Sequence, residues 1–442
     1  MTVRPGQTRQ TDTDGFQSES MEVRSIAELS PADRRAVFER TGSLTDARSD
    51  VREILDRVRE EGDVALRAFA SEFDDVSVGN LDVTDRAERA PDRLDSDVRE
   101  AIETAAENIR EFHERVRPEA WRDSFDGREL GQRFRPLERA GVYVPGGTAD
   151  YPSSALMGVI PAVVAGVDHV AVATPPAETL SDATLAAAHI AGADAVYQVG
   201  GAQAIGALAY GTETLPACDV VVGPGNRWVT AAKAEVRGDV EIDFLAGPSE
   251  VLVVADETAD PELVAAELVT QAEHDTDAAV AAVTDDADLA EEIVTAADRQ
   301  AGERVREDVI RGAFTSPASG VFLSRSPSEA VLFADEYAAE HLVILAENDE
   351  DILARIDSAG SVFLGPYSPV AAGDYASGPN HVLPTGGSAR RVGGLSVETF
   401  MRTTTVQRLS RDGLAEIADT IDTLARTEGL EAHAESVAFR FD

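Results

Sequence analysis

Seven histidines stand in a chain of 442 residues, and four of them keep company with groups that move protons or bind metals. Gln271-Ala-Glu-His274 places an amide and an imidazole three apart, at the end of a run that opens Asp260-Pro261, a good helix start. Residues so spaced share one helical face, which suits two ligands of one metal or two hydrogen-bonders of one substrate. Glu340-His341 sets a carboxylate beside an imidazole where a helical segment gives way to an apolar strand. Such a pair supplies two proton carriers of different pKa to a reaction that needs two proton removals. Asp374 and His381 fall in one long loop, and Glu428 and His433 close the chain. Histidines, a carboxylate and an amide together are borderline ligands that suit Zn2+ better than Mg2+ or Ca2+. Spacing leaves open whether these distant segments meet. His113, His169 and His189 sit in ordinary helix or strand patterning and read as structural or solvated.

Three glycine loops are expected where strands end and helices begin: Gly200-Gly-Ala-Gln-Ala-Ile-Gly206, Gly223-Pro-Gly-Asn226 and Gly247-Pro-Ser-Glu250. In a parallel sheet the carboxyl edge forms the ligand crevice, and free N–H groups at a helix start favour phosphate. None of the loops is the GxGxxG fingerprint, so nucleotide binding and plain turn geometry both remain open. Cys218 is the single cysteine. It permits a thiolate to capture an aldehyde, yet no His or Lys adjoins it, and it leads into an apolar strand. A small core residue is the favoured reading.

The elements that must carry these residues follow from periodicity. Between Thr45 and Val116 apolar residues recur at helical spacing, as in Val51, Ile54, Leu55 and Val58. Strand-like segments then alternate with Ala-rich helices: Asp168–Ala173, Ala195–Val199, Asp219–Val222 and Val251–Ala255, after the β-type run Gly141–Val144. A second cycle offers Ala278–Val283, Gly320–Leu323, Leu342–Leu345 and Ser361–Leu364 as strands. This alternation is the grammar of an α/β protein with parallel sheets. The Gly/Pro-rich stretch Gly365–Gly394 is too long for a mere connector, which favours a functional loop. A last helix shows Leu414, Ile417, Ile421 and Leu424 on one face and ends at Gly429.

Composition narrows the classes. A hydrophobic content of 43% supports substantial cores, built from small aliphatic residues because aromatics are only 5%. With 81 acidic against 39 basic residues the net charge is −42, which repels phosphate backbones and anionic lipid. Nucleic-acid and membrane partners are therefore not expected, and no apolar run approaches the roughly 20 residues of a membrane span. Lys233 is the single lysine. Acidic surface, scarce lysine and small apolar side chains suggest a high-salt interior, where screening weakens self-repulsion. The first twenty residues are polar and lack the apolar core of a secretory signal. They read as a disordered tail, with Met21 opening a more fold-like stretch and cytoplasm as the expected location.

Seven motifs now occur in order: Gly141-Val-Tyr-Val-Pro-Gly-Gly147, Val199-Gly-Gly-Ala-Gln-Ala-Ile205, Gly223-Pro-Gly-Asn226, Ala246-Gly-Pro-Ser-Glu-Val251, Gln271-Ala-Glu-His274, Asp335-Glu-Tyr-Ala-Ala-Glu-His341 and Gly373-Asp-Tyr-Ala-Ser-Gly-Pro-Asn-His-Val-Leu-Pro384. The chain strongly resembles the histidinol dehydrogenase family over roughly residues 45–440. The resemblance implies two Rossmann-like parallel-sheet α/β domains, a helical N-terminal region and a small C-terminal helical segment. The expected division is a tail and arm over 1–44, a first domain from 45–141 with 249–385, a second over 142–248, and a dimerisation segment over 386–442.

It also implies oxidation of L-histidinol to L-histidine through an aldehyde, consuming two NAD+ and one water, with one zinc per site. Gln271, His274, Asp374 and His433 match zinc ligands, and Ser249, His341 and Glu428 join them in holding histidinol. Tyr143, Gln203 and Asn226 match NAD positions, and Glu340 and His341 match proton acceptors. His381 carries no assigned role. A homodimer whose C-terminal segments exchange is implied, so that Glu428 and His433 complete the partner's site. The chain departs from the family pattern at Asp275-Thr276 and in Thr399–Gln407, neither of which includes a matched functional residue. Two other classes remain on the residues alone: a zinc hydrolase that uses no dinucleotide, and a binding protein that keeps the pocket without the chemistry.

Overall fold

Runs such as Glu250–Ala255 and His341–Leu345 have no polar residue after their first, and both are buried along their whole length. A strand covered on both faces demands that pattern. In the computed structural model, which describes residues 20–40, 45–146 and 150–441, these runs build two parallel sheets in two compact units. Residues 1–19 of the expected polar tail and Gly147 lie outside the described residues.

One unit gathers residues 20–40, Leu245–Ala372 and Leu383–Gly394. Its sheet runs in the order Val23–Ser25, Gly320–Leu323, Ala279–Thr284, Glu250–Ala255, His341–Leu345, Ser361–Leu364, parallel throughout. Alternation divides the side chains between two cores. Val251, Val253 and Ala255 pack under the helices Pro261–Ala272, Ala287–Gly302 and Glu307–Phe314, whereas Leu252 and Val254 face Pro327–Tyr337. Met21 is buried in the first of these cores, as a fold-like stretch starting there requires. Asp260 caps the helix Pro261–Ala272 by accepting from the Glu262 N–H at 2.9 Å.

The other unit gathers residues 45–146 and 150–244, Gly373–Val382 and residues 395–441. Its five strands run Ala195–Gln198, His169–Thr174, Arg139–Tyr143, Val220–Val222, Glu241–Ile242, again all parallel. The helices Thr45–Glu61 and Asp63–Phe73 bury Val51, Leu55, Val58 and Phe69 with Ile205, Leu208 and Val229. That packing corrects the expected grouping of 45–141 with 249–385: the early helices complete the 142–244 core instead. Ser96–Val116 packs on Pro152–Ala165.

A three-stranded antiparallel sheet of Met401–Leu409, Arg128–Pro136 and Trp121–Phe125 was not anticipated. Its outer strands, Trp121–Phe125 and Met401–Leu409, are polar and largely exposed, so they lack the alternation that announces a strand. The last long helix spans Arg411–Thr427, and Gly429 reverses the chain at φ +75° into a further helix, Glu431–Ala438.

Candidate active site

In the first unit the expected site residues collect at one sheet edge, and it is the amino edge. Glu250 and His341 are the first residues of neighbouring strands, and Ala279 donates its N–H to the Ser249 carbonyl at 3.0 Å. The Gly247-Pro-Ser-Glu250 loop therefore precedes its strand. This corrects the expectation that it follows a strand end. The pattern of glycine before a polar residue looks alike on either side of a strand, which is why the sequence misled. Gln271 and His274 come to the same edge from the end of Pro261–Ala272, and Glu340 comes from the turn after Pro327–Tyr337.

Glu340 and His341 are both buried. The Glu250 N–H donates to Glu340 Oε2 at 2.7 Å, and His341 Nδ1 lies 3.1 Å from the Glu250 carbonyl oxygen. A carbonyl only accepts, so Nδ1 carries the proton and the basic lone pair resides on Nε2. Glu250 is held in turn by Arg40, whose Nε and Nη2 each donate at 2.9 Å to one of its carboxylate oxygens. Gly386 N–H donates to Glu250 Oε1 at 2.8 Å, and the Arg40 guanidinium stacks 3.6 Å from the Tyr337 ring centroid. Sequence reasoning missed Arg40 and assigned no role to Glu250. No local spacing joins residues so far apart, and only the carboxylate at a strand start hinted at them.

Gln271 is buried, with its Nε2 3.0 Å from His274 Nδ1. Its Oε1 is buried and meets no hydrogen-bond donor among the described residues. A buried carbonyl oxygen left so costs about 1–3 kcal/mol, which marks a place for a cation or donor from outside. The amide and imidazole thus fit a borderline divalent metal. Among the described residues no three His, Cys, Asp or Glu side chains form a metal cluster.

In the second unit the three expected dinucleotide residues do stand at a carboxyl edge. Tyr143 ends its strand, and its buried hydroxyl accepts from the Gly201 N–H at 3.1 Å. Burial pushes the Tyr143 hydroxyl up to about 12, so it stays a neutral hydrogen-bonding group. Gln203 is buried in the first turn of Gly201–Tyr210, and a Cβ on Gly201 would come within 2.8 Å of its Oε1. Asn226 is exposed and caps Arg227–Val236, accepting from the N–H groups of Trp228 and Val229 at 3.0 and 3.2 Å.

Asp374 is half-buried on the short helix Val370–Tyr375. His381 Nδ1 donates to the Asp374 carbonyl at 2.8 Å, and its Nε2 lies 3.4 Å from Ser154 Oγ. Asn380 Nδ2 donates to the Met157 carbonyl at 2.7 Å. His381 therefore ties the Asp374 loop to the helix Pro152–Ala165. Glu428 and His433 are exposed, on either side of the turn at Gly429. Cys218 is buried, and desolvation raises its thiol to about 12. It is unfit as a nucleophile at neutral pH.

The family model for histidinol dehydrogenase matches residues 39–441. A histidinol dehydrogenase of Haloarcula marismortui is 72% identical, covering 96% of this chain and 100% of the relative. Another, of Methanosarcina mazei, is 44% identical over 95% of this chain and 98% of its own length. The crystal structure of histidinol dehydrogenase from Elizabethkingia anophelis matches with a TM-score of 0.91 at 36% identity, covering 95% and 98% of the two chains. Relatives at 72, 69 and 68% identity come from the halophilic archaea Haloarcula marismortui, Natronomonas pharaonis and Halobacterium salinarum, in accord with the saline reading of the acidic composition. Similarity this extensive, along nearly the whole length and in both fold and sequence, makes the chain a member of the histidinol dehydrogenase family.

Proposed function

We propose that the chain oxidises L-histidinol to L-histidine by way of L-histidinal, passing four electrons to two NAD+ at a site holding one Zn2+. The observation that carries this reading is the buried Glu340–His341 pair, with Nδ1 of His341 engaged by the Glu250 carbonyl. That bond selects the tautomer a general base needs. His341 Nε2 takes the alcohol proton of histidinol. Glu340, its Oε2 anchored by the Glu250 N–H, then removes a proton from the water that adds to histidinal. His341, its first proton released to solvent between the two stages, takes the hydroxyl proton of the hydrate in the second oxidation. When bound, Zn2+ orients the substrate's imidazole and amine, and NAD+ accepts the electron pair and hydrogen lost from carbon at each stage.

Gln271, His274 and Asp374 hold the metal together with the imidazole of His433, and Ser249 and Glu428 bind the substrate's polar ends. Tyr143, Gln203 and Asn226 hold the dinucleotide. Their position at the carboxyl edge of a parallel sheet supports that assignment. The protein works in the cytoplasm as a homodimer in which Glu428 and His433 of each chain complete the partner's site. Absorbance at the reduced-nicotinamide band tests the reading, with zinc-loaded protein, histidinol and NAD+ at high salt. Two reduced cofactors per histidine are expected; absence of histidinol-dependent reduction overturns it.

A further inference from the structure

Arginine supplies every positive side chain but one. Lys233 is the single lysine among 39 basic residues, and its side chain is only 3% exposed. It lies on Arg227–Val236 and forms an ion pair with Asp243, whose side chain is 1% exposed. Lys233 Nζ also donates to the Gly223 carbonyl at 3.0 Å, and Asp243 Oδ2 accepts from the Gly223 N–H at 2.9 Å. Opposite charges therefore grip both ends of one glycine. Asp243 Oδ1 is used as well, accepting from the Phe244 N–H at 2.7 Å.

Gly223 has φ +114°, and a Cβ there would come within 2.1 Å of the Tyr143 carbonyl oxygen. Only glycine fits. The residues that follow at once are Pro224, Gly225 and Asn226, so this grip sets the direction of the Asn226 turn against Tyr143. A buried ion pair is a weak source of stability, because desolvation offsets most of the attraction. It is a strong means of fixing a geometry. An ammonium is a compact point charge with three donors, whereas a guanidinium is a planar fork, so arginine is no conservative replacement here.

We infer that Lys233 and Asp243 are positioning residues for the dinucleotide, fixing the Gly223–Asn226 turn so that Tyr143 and Asn226 meet NAD+ in register. The inference rests on the NAD+ reading above. It is tested by kinetics and by NAD+ titration followed through tryptophan fluorescence, Trp228 donating its main-chain N–H to Asn226 Oδ1, in wild type and three variants: Lys233→Arg, Asp243→Asn and the charge-free double variant Lys233→Met/Asp243→Asn. The double variant leaves no charge buried alone and so guards against simple misfolding. For the folded variants KM for NAD+ rises about tenfold or more, while KM for histidinol stays within about twofold. Zinc content is unchanged.

A purely structural pair gives a lowered melting temperature with KM for NAD+ unaltered, and that result overturns the inference. Parallel rises in both KM values overturn it too. Wild type that binds no NAD+ removes the reading beneath it, a failure distinct from wild type and variants binding alike.

Discussion

Glu250 holds Glu340 through its main chain, N–H to Oε2 at 2.7 Å, while Arg40 and Gly386 hold the Glu250 side chain. The carboxylate of Glu250 is thus an anchor and its peptide groups are the tools. Arg40 and Glu250 side chains are 3% and 2% exposed, so removing one partner strands a charge in the interior. Arg40→Met is expected to destabilise the fold by about 3–5 kcal/mol, with Arg40→Met/Glu250→Gln recovering a good part. Denaturant unfolding at high salt measures both. An Arg40→Met chain as stable as wild type contradicts the anchoring role.

The two proton carriers divide the work, so their variants differ in kind. His341→Asn is expected to lower both oxidations by about 10²–10⁴-fold. Glu340→Gln retards mainly the hydration step, letting histidinal escape to an aldehyde-trapping reagent and shifting the yield toward one reduced nicotinamide per histidinol. Neither residue belongs to the proposed metal set, so zinc content stays near normal. Equal loss of both steps in Glu340→Gln, without trapped aldehyde, argues against the assignment.

Most of the fold was legible because buried parallel strands announce themselves. Gly320–Leu323 and Ser361–Leu364 lie where the apolar runs put them. The strands Trp121–Phe125 and Met401–Leu409 were illegible because polar, exposed residues carry no periodic signal. The early helices were assigned to the wrong unit because an apolar stripe says that a helix is covered but not by what. In the site, Gln271 and His274 could be paired from a three-residue spacing, and they do meet. Arg40 and Glu250 are 210 positions apart, and nothing local links them. Lys233 did carry a signal, as the one ammonium in the chain, although composition alone attached no role to it.

His113 is buried with no hydrogen-bond partner for either ring nitrogen among the described residues. Desolvation depresses its pKa from 6.5 to about 4. Above the unfolded value the imidazole is neutral in both states and adds nothing that depends on pH. As pH falls through it, the unfolded chain takes up a proton that the native chain refuses, so stability declines until about pH 4. The contribution is on the order of 3 kcal/mol across that window. His113→Leu should therefore lose less stability than wild type between about pH 7 and about pH 4.5, read by denaturant midpoints. Identical slopes for the two proteins sink the argument.

Sharing of sites between subunits has a distinctive signature. The helix Arg411–Thr427 buries only Gly413 and Ala425 within the chain and leaves Leu424 57% exposed; Leu430 and Phe439, which flank the following helix Glu431–Ala438, are 44 and 70% exposed. Exposed apolar side chains so near in sequence to exposed Glu428 and His433 are consistent with the proposed second copy of this chain. Consider mixed dimers of a His433→Ala chain and a Glu340→Gln chain, neither of which alone forms histidine, with histidine formation as the activity read. If His433 completes the partner's site, one site combines intact Glu340 from the first chain with intact His433 from the second. The other site carries both lesions. Random equal mixing then makes half the dimers hybrids with one good site each, so activity returns to about a quarter of wild type. Should each chain use its own His433, every site keeps one lesion and mixing restores nothing.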